Sequence, residues 1–392
     1  MPITYRLYEP KDLEPTVQLV QRVFYDVAPI PLETWAKMEA QDHITVLAED
    51  GRRVVGAIPF AIRDFLIRPG VSIRGAFAHL VGVDEAYRKR GVGSGIMGLA
   101  KEALPDVCDA VFVYTGGEGH APYTFYERNS FIDLHYSRFY ILSNPRAEAP
   151  GEVKIEPLLP AALDETALNE AYQRVYREYA GFPPRSPGYW KEALDSIIYV
   201  EIPSDFYLAS VRRGSRLDGY AIFAYSEGSV VVLEMVADPQ EEVLAENLLK
   251  GIIAAAAAHG APIVRIVATF HHPAVPALTK LGFKPMKRAH ANITAGQVFH
   301  FDKLWPKLSG GDSGMALCVW TPERELTLPG EGPVVTLEMK APTLHRLFLC
   351  REDVQAAFLT ERITSTTYPL PLDQLQQIFR PAPWVHHWLE WI

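Results

Sequence analysis

No stretch of the chain reaches the roughly 20 consecutive apolar residues that a membrane-spanning helix needs. The nearest, Ile252 to Ala258, is short, alanine-rich and flanked by Lys250 and His259. The opening Met-Pro-Ile-Thr-Tyr-Arg reads as a strand and lacks the apolar core of a secretory signal. Cysteine is scarce: Cys108, Cys318 and Cys350 stand far apart, without CxxC spacing. That argues against a disulfide framework or a zinc site, and it predicts a reducing, cytoplasmic setting with no metal. Basic residues are short too, 38 against 47 acidic for a net charge of −9, so no nucleic-acid partner is expected. An acidic chain suits cationic or amine substrates better, although solubility alone accounts for the sign.

What is present points to more than one globular core. A length of 392 residues at 48% hydrophobic and 22% charged predicts two or three domains. Strand and helix signals alternate through the first segment. Ile3 to Tyr8 reads as a strand, Asp12 to Val27 as a helix with Leu13, Val17, Val20 and Phe24 at helical spacing. Strands follow at His43–Glu49, Arg53–Ile62 and Gly75–Val83, then a helix from Ser94 to Leu104 and a strand from Ala110 to Thr115. A short helix over Pro122 to Asn129 and a strand through Ser137 to Leu142 complete it. Asn144 to Gly151 has linker composition.

The second segment repeats the pattern, from a strand at Val153 through the helix Glu241–His259 to Phe283. Phe131 and Phe283 lie 152 residues apart, and Val83 and Val236 lie 153 apart. Two anchors agreeing to one residue indicate a tandem duplication. From about residue 293 the pattern changes, with strands at Ala316–Trp320 and Val334–Met339 and helices at Thr343–Leu349, Glu352–Thr360 and Leu372–Phe379. The final Trp384-Val-His-His-Trp-Leu-Glu-Trp-Ile392 is too apolar to hang free in water and should be docked.

The chemistry concentrates at Arg88-Lys-Arg-Gly-Val-Gly-Ser94, between a predicted strand and a predicted helix. Glycines there let the backbone approach an anion, and the first N–H groups of a helix lack intrahelical partners. With the helix dipole, and with Arg88, Lys89 and Arg90 as countercharge, such a turn can cradle a pyrophosphate. A basic strand-to-helix turn of no function is the alternative. The P-loop order GxxxxGK[ST] and the dinucleotide order GxGxxG are both absent.

Arg88-x-x-Gly91-x-Gly93 resembles the R/Q-x-x-G-x-G/A signature of the GNAT family of N-acetyltransferases. Val81, Gly82 and Val83 match that family's splayed strand, whose backbone pairs with the pantetheine amides. Phe125-Tyr-Glu-Arg-Asn-Ser-Phe131 is similar to the family's F-Y-x-x-x-G-F stretch, with Ser130 in place of the glycine. The resemblance implies acetyl-CoA as cosubstrate, bound by Val81, Gly82, Val83, Arg88, Lys89, Arg90, Gly91, Val92, Gly93 and Ser94. It also implies Tyr126 as the general acid that protonates the leaving thiolate. The alternative for Tyr126 is a packing aromatic.

The duplicated turn differs. Counting from the anchors sets Glu241 opposite Arg88, Leu244 opposite Gly91, Glu246 opposite Gly93 and Leu278 opposite Tyr126. Carboxylates and bulk there would repel a pyrophosphate, so the second copy is expected to bind no coenzyme A.

Leu344 to Ile363, and Leu372-x-x-Leu-x-x-x-Phe379 followed by Pro383-Trp384, resemble the helical stretch and terminus of a sterol-carrier-like domain, and together the parts resemble the enhanced-intracellular-survival (Eis) type of acetyltransferase. The fold class implied is α/β (α+β): two tandem GNAT-type mixed-sheet domains, 1–147 and 148–292, followed by a sterol-carrier-protein-like αβ domain, 293–392. In that type the terminal carboxylate enters the active site as base, here that of Ile392. His79, His120 and water remain alternatives. The acceptor implied is an amine of a cationic small molecule or a lysine side chain. Asp26, at the end of the first helix, is a candidate recognition carboxylate, with Glu14, Glu33 and Asp42 as equals and a merely solvated carboxylate as the alternative. A homo-oligomer, up to a hexamer, is also implied. The other readings are a different tandem-GNAT acyltransferase and a non-catalytic acyl-CoA or lipid-binding sensor.

Overall fold

The computed structural model describes residues 2–24, 32–40, 42–117, 120–159, 162–196, 205–226, 228–241, 243–287, 292–311 and 314–390. Asp26 and Ile392 lie outside the described residues.

One order of elements runs twice. The first pass is β1 (Thr4–Leu7), α1 (Leu13–Val23), α2 (Leu32–Glu39), β2 (His43–Asp50), β3 (Arg53–Arg68), β4 (Val71–Ala78), β5 (Gly82–Val83), α3 (Val92–Ala103), β6 (Ala110–Gly116), α4 (Ala121–Arg128) and β7 (Ile132–Ser143). The second is β8 (Lys154–Pro157), α5 (Glu165–Tyr176), α6 (Tyr189–Ser196), β9 (Phe206–Arg213), β10 (Arg216–Ser226), β11 (Ser229–Val236), α7 (Leu244–Ala258), β12 (Ile263–Thr269), α8 (Val275–Lys280), β13 (Lys284–Pro285) and β14 (Asn292–Val298). A third stretch adds α9 (Phe301–Ser309), β15 (Ala316–Trp320), β16 (Glu325–Leu328), β17 (Val334–Met339), α10 (Ala341–Phe348), α11 (Val354–Leu359), β18 (Ile363–Ser365) and α12 (Leu372–Ile378). Both passes carry the mixed sheet with flanking helices that the motifs implied.

Among the described residues, fourteen strands form one sheet, ordered β1-β2-β3-β4-β6-β14-β7-β12-β11-β10-β9-β8 along its main path. The order contains an exchange. β14, which ends the second pass, lies between β6 and β7, while β7, which ends the first, pairs with β12. Each half completes its sheet with the other's strand, and the junction leaves no open edge to recruit a foreign strand. The expected division at 147 falls between β7 and β8, but that at 292 falls at the start of β14, a strand of the second pass, and the hydrogen-bonded sheet runs across both.

Helices α3 and α4 cover one face of the first half, where Ile96, Met97 and Ala100 meet Val46, Ile58, Val111 and Val113. The i, i+4 spacing of these side chains makes the buried stripe. Helix α7 does the same in the second half, with Leu248, Leu249 and Ile252 on Val230, Val232 and Val264. On the opposite face of the first half, Phe65, Ile73, Phe77 and Phe112 form one core with Leu344, Phe348 and Trp384 of the third stretch. Arg68, at the end of β3, donates to the carbonyl oxygens of Leu308 (2.7 Å) and Ile378 (2.5 Å). These belong to the last turns of α9 and α12, whose carbonyls have no intrahelical partner.

The tryptophan-rich end is docked as far as it is described, to Glu390. Trp384, Val385, Trp388 and Leu389 are all buried. The Ala180 N–H donates to Pro383 O (3.0 Å), the Val385 N–H donates to Ala180 O (2.9 Å), and Gly181 bonds Leu66 of β3. This short ladder ties the two halves and the tail together. Gly181 has φ +85, and a Cβ there would stand 2.6 Å from Trp384. Only glycine meets both conditions.

Candidate functional site

β4 and β6 run parallel only from Gly75 and Ala110 to Ala78 and Val113. Beyond Ala78 they part. Leu80 takes φ 45, a left-handed conformation that costs a branched residue energy and tends to persist where function needs it. It turns the chain so that Gly82 and Val83 pair with β3 at Ala57 and Gly56, away from β6. β6 continues beside β14 to Gly116. The two strands therefore splay, and the backbone of Val81 to Val83 lines one side of the opening.

The glycine turn stands at the foot of that opening. Asp84 accepts from the Ala86 N–H (3.2 Å) and fixes the turn's start, and the Arg88 Nε donates to Val83 O (3.1 Å). Gly91 is the N-cap of α3 with φ 81, and no atom lies within 4 Å of where its Cβ would be. The first intrahelical bond runs from Gly95 N–H to Gly91 O, so the N–H groups of Val92, Gly93 and Ser94 point out of the helix without helical partners. A Cβ on Gly93 would meet the Phe125 ring at 3.0 Å, which shows that α4 closes over this turn. Arg88, Lys89 and Arg90 are exposed around it. An open left-handed glycine, three outward N–H groups and three cations fit a pyrophosphate.

The second half corrects the residue-by-residue register expected there. Val111 pairs with Ala76 as Val264 pairs with Val230, so β4 and β11 correspond at an offset of 154, which sets Glu234 opposite Leu80. Asp238 accepts from the Gln240 N–H as Asp84 does from Ala86. The helix then begins at N-cap Val243, opposite Gly91 rather than Leu244. The second loop is two residues shorter, so Ala245, not Glu246, matches Gly93. Val243 has φ −92, an ordinary right-handed cap. Glu241 is ion-paired with Arg213, and Glu246 with Lys250 (2.7 Å) and Lys280 (2.5 Å).

Tyr126 lies on α4 at 4% exposure, with Phe125 and Phe131 edge-on at 5.1 and 5.4 Å. Ser130 holds the turn that follows at φ 64. The bond from Phe131 N–H to Tyr126 O (3.1 Å) has its counterpart in Phe283 N–H to Leu278 O (3.0 Å). Gly282, φ 85, takes the place of Ser130. Serine therefore supports the same turn as glycine, and Leu278 does stand opposite Tyr126.

His79 is buried against His43, with ring centroids 5.4 Å apart and edge-on. Burial first, then His43 and Arg63, hold its pKa well below the ordinary histidine value. His43 is pushed down to about 4 by burial and then Arg63. Both are neutral and weakly basic near neutral pH. His120 is exposed at the start of α4, packed against Gly116. His43, Arg63, Asp42, Asp64, Tyr189 and Glu192 line a cavity of about 460 Å³ at the seam of the halves. Arg63 also donates to Glu390 O (3.0 Å), two residues before the chain end.

The structure thus brings together residues 81–83 and 88–94, expected from the sequence to bind the cofactor, and sets α4 over them. It also shows a buried polar cluster that sequence reasoning missed: Arg185, Glu234 and Glu390. A signal existed, since Glu234 is the one ionisable residue in the strand Ser-Val-Val-Val-Leu-Glu-Met-Val236. Burial works against ionising Glu390, but Arg185 and His386 outweigh it and its pKa lies below the ordinary value.

Residues 4–129 match the family model described as an acetyltransferase (GNAT) domain. A comparison with curated proteins found no match. Among solved structures, the chain is similar over 98% of its length to 99% of a GCN5-related N-acetyltransferase from Anabaena variabilis, with a TM-score of 0.69 at 13% identity. It is similar over 98% to 98% of a conserved protein of unknown function from Enterococcus faecalis, with a TM-score of 0.67 at 14% identity. It also covers 98% of Eis1 from Mycobacterium abscessus with 97% of its own length, with a TM-score of 0.59 at 13% identity. The fold is therefore a tandem GNAT fold, extended by a third αβ unit.

Proposed function

We propose that the chain is an N-acetyltransferase that moves the acetyl group of acetyl-CoA to an amine of a cationic small molecule or a lysine side chain. The observation that carries this is the Arg88–Ser94 turn, built on a left-handed glycine at the N-terminus of α3 beside a parted pair of parallel strands. Backbone of Val81 to Val83 would pair with the pantetheine amides, and Arg88, Lys89 and Arg90 with the N–H groups of Gly91 to Ser94 would hold the pyrophosphate. The unit 1–147 would be catalytic and 148–292 a coenzyme A-free partner. The unit 293–392 would be the sterol-carrier-like domain, whose end reaches the site.

In the reaction the amine nitrogen attacks the acetyl carbonyl carbon, a C–N bond forms and the C–S bond breaks. Tyr126 gives its phenolic proton to the departing thiolate. The terminal carboxylate of Ile392 takes the ammonium proton, directly or through water, and Asp26 recognises the cationic acceptor. Burial lowers the basicity of His79 and His43, which counts against either of these two as that base. Assembly as a homo-oligomer belongs to the same reading.

Thiol release from acetyl-CoA against a panel of amines tests it. Turnover on at least one amine is expected, falling about 100-fold or more in Tyr126→Phe, the scale of a lost general acid. Acetyl-CoA binding with no turnover on any amine would favour a sensor instead. Unchanged turnover in Tyr126→Phe would remove the tyrosine from its role.

A further inference from the structure

The side chains of one arginine and two glutamates lie wholly out of solvent where the second half meets the C-terminal segment. Arg185, Glu234 and Glu390 are each 0% exposed. Arg185 Nη2 donates to Glu234 Oε2 (2.6 Å) and to Glu390 Oε1 (2.8 Å), and its Nη1 donates to Pro183 O (3.2 Å). Its guanidinium sits between the rings of Tyr172 and Tyr189, 4.2 and 4.1 Å from their centroids. Glu234 Oε1 accepts from Trp190 Nε1 and from the Tyr220 hydroxyl, both at 2.7 Å. Glu390 Oε2 accepts from the His387 N–H (3.3 Å) and faces His386 Nδ1 (3.4 Å).

Such a cluster is an expensive way to gain stability. Burying ions costs several kcal/mol each, and apolar residues of the same volume often do as well. What it supplies is direction: two opposed carboxylates on one planar guanidinium accept one arrangement of the chain. The arrangement fixes the tail. Glu390 is held through its side chain by the second half and through its carbonyl oxygen by Arg63 of the first, which lines the seam cavity. Glu234 stands at the strand position that Leu80 occupies in the first half, where β4 turns away from β6. The site that parts the strands for a cofactor in one copy holds a carboxylate clamp in the other.

We propose that Arg185 and Glu234 are positioning residues, through which the second half holds Glu390 and sets where the chain end stands in the first half's active site. This rests on the reading that the terminal carboxylate accepts the amine proton. The second half, with no turn for coenzyme A, acts on catalysis through the tail.

The full chain is assayed as Glu390→Gln, which leaves Arg185 paired with Glu234, as Glu390→Asp, and as the doubly neutralised Arg185→Met/Glu234→Gln. A fourth form carries one glycine after Ile392. Glu390→Gln and the double variant are expected to lower kcat at least 10-fold, with KM for acetyl-CoA within twofold of wild type. Amide exchange should quicken across residues 384–390, and Glu390→Asp should recover part of the lost kcat. The added glycine should lower kcat alone and add little to the double variant, because both act through one element. Wild-type kcat in Glu390→Gln and the double variant, with the glycine form impaired, would overturn the clamp and leave the terminal base standing. A glycine form as active as wild type would overturn the terminal base, and the clamp's purpose with it.

Discussion

Gly91→Val copies into the proposed cofactor turn the residue that caps the corresponding helix of the second half. Gly91 sits at φ 81, and a Cβ there meets no atom within 4 Å, so the cost is conformational and not steric. Holding a non-glycine residue left-handed costs roughly 1–2 kcal/mol. Removing glycine from the unfolded chain returns about 0.4–1 kcal/mol. The net loss of about 1 kcal/mol leaves the protein folded. Binding should suffer more. If valine relaxes toward the φ of −92 seen at Val243, the N–H groups of Val92 to Ser94 turn away from the pyrophosphate. Losing one charge-assisted hydrogen bond of about 1.5–3 kcal/mol weakens acetyl-CoA binding roughly 10- to 150-fold. Calorimetric titration reads the affinity, and urea unfolding reads the stability. Affinity within twofold of wild type, in a variant that unfolds near the wild-type midpoint, would refute the cradle.

Two further outcomes follow from the geometry. His43, His272 and His345 are each pushed down to about 4, burial being the first cause. His272 Nδ1 accepts from the Ala274 N–H and His345 Nδ1 from the Val298 N–H, bonds that only the unprotonated ring makes. With folded values below the unfolded value near 6.5, stability is full above pH 6.5 and is lost as pH falls toward 4, at up to about 1.4 kcal/mol per pH unit for each group. His272→Asn should reduce the slope of unfolding free energy between pH 6.5 and 4.5 by about one such share, and an unchanged slope would contradict it. Ser130→Gly relieves the φ of 64 at the end of α4 and should raise stability by up to about 1 kcal/mol, with kcat unchanged. A loss of more than 1 kcal/mol on chemical unfolding would mean that the Ser130 side chain does more than fill a turn.

The turn at Arg88–Ser94 was legible because its chemistry is local: cations, glycines and a helix start all lie within seven residues of sequence. The duplication was legible for a related reason, since Phe131 and Phe283 end the same turn in both copies. The exchange of β7 and β14 was not, because an alternating strand pairs equally well in either sheet and only long-range contacts decide which. The offset of 153 taken from Val83 and Val236 was one residue short across β4 and β11 and concealed that the second loop lost two residues. The break at Leu80 was likewise hidden inside what reads as one strand from Gly75 to Val83. Arg185, Glu234 and Glu390 lie far apart along the chain, and their meeting depends on how the tail folds back. Glu234, alone in an apolar strand, could still have been singled out as a buried charge in need of a partner.

The central claim is that one of two copies of the fold binds acetyl-CoA. The most direct test is the stoichiometry of acetyl-CoA binding to the full chain, measured by calorimetric titration alongside Gly91→Val. One molecule per chain is expected, lost or weakened at least 10-fold in the variant. Two molecules per chain, or one that binds Gly91→Val as tightly as wild type, would contradict the account.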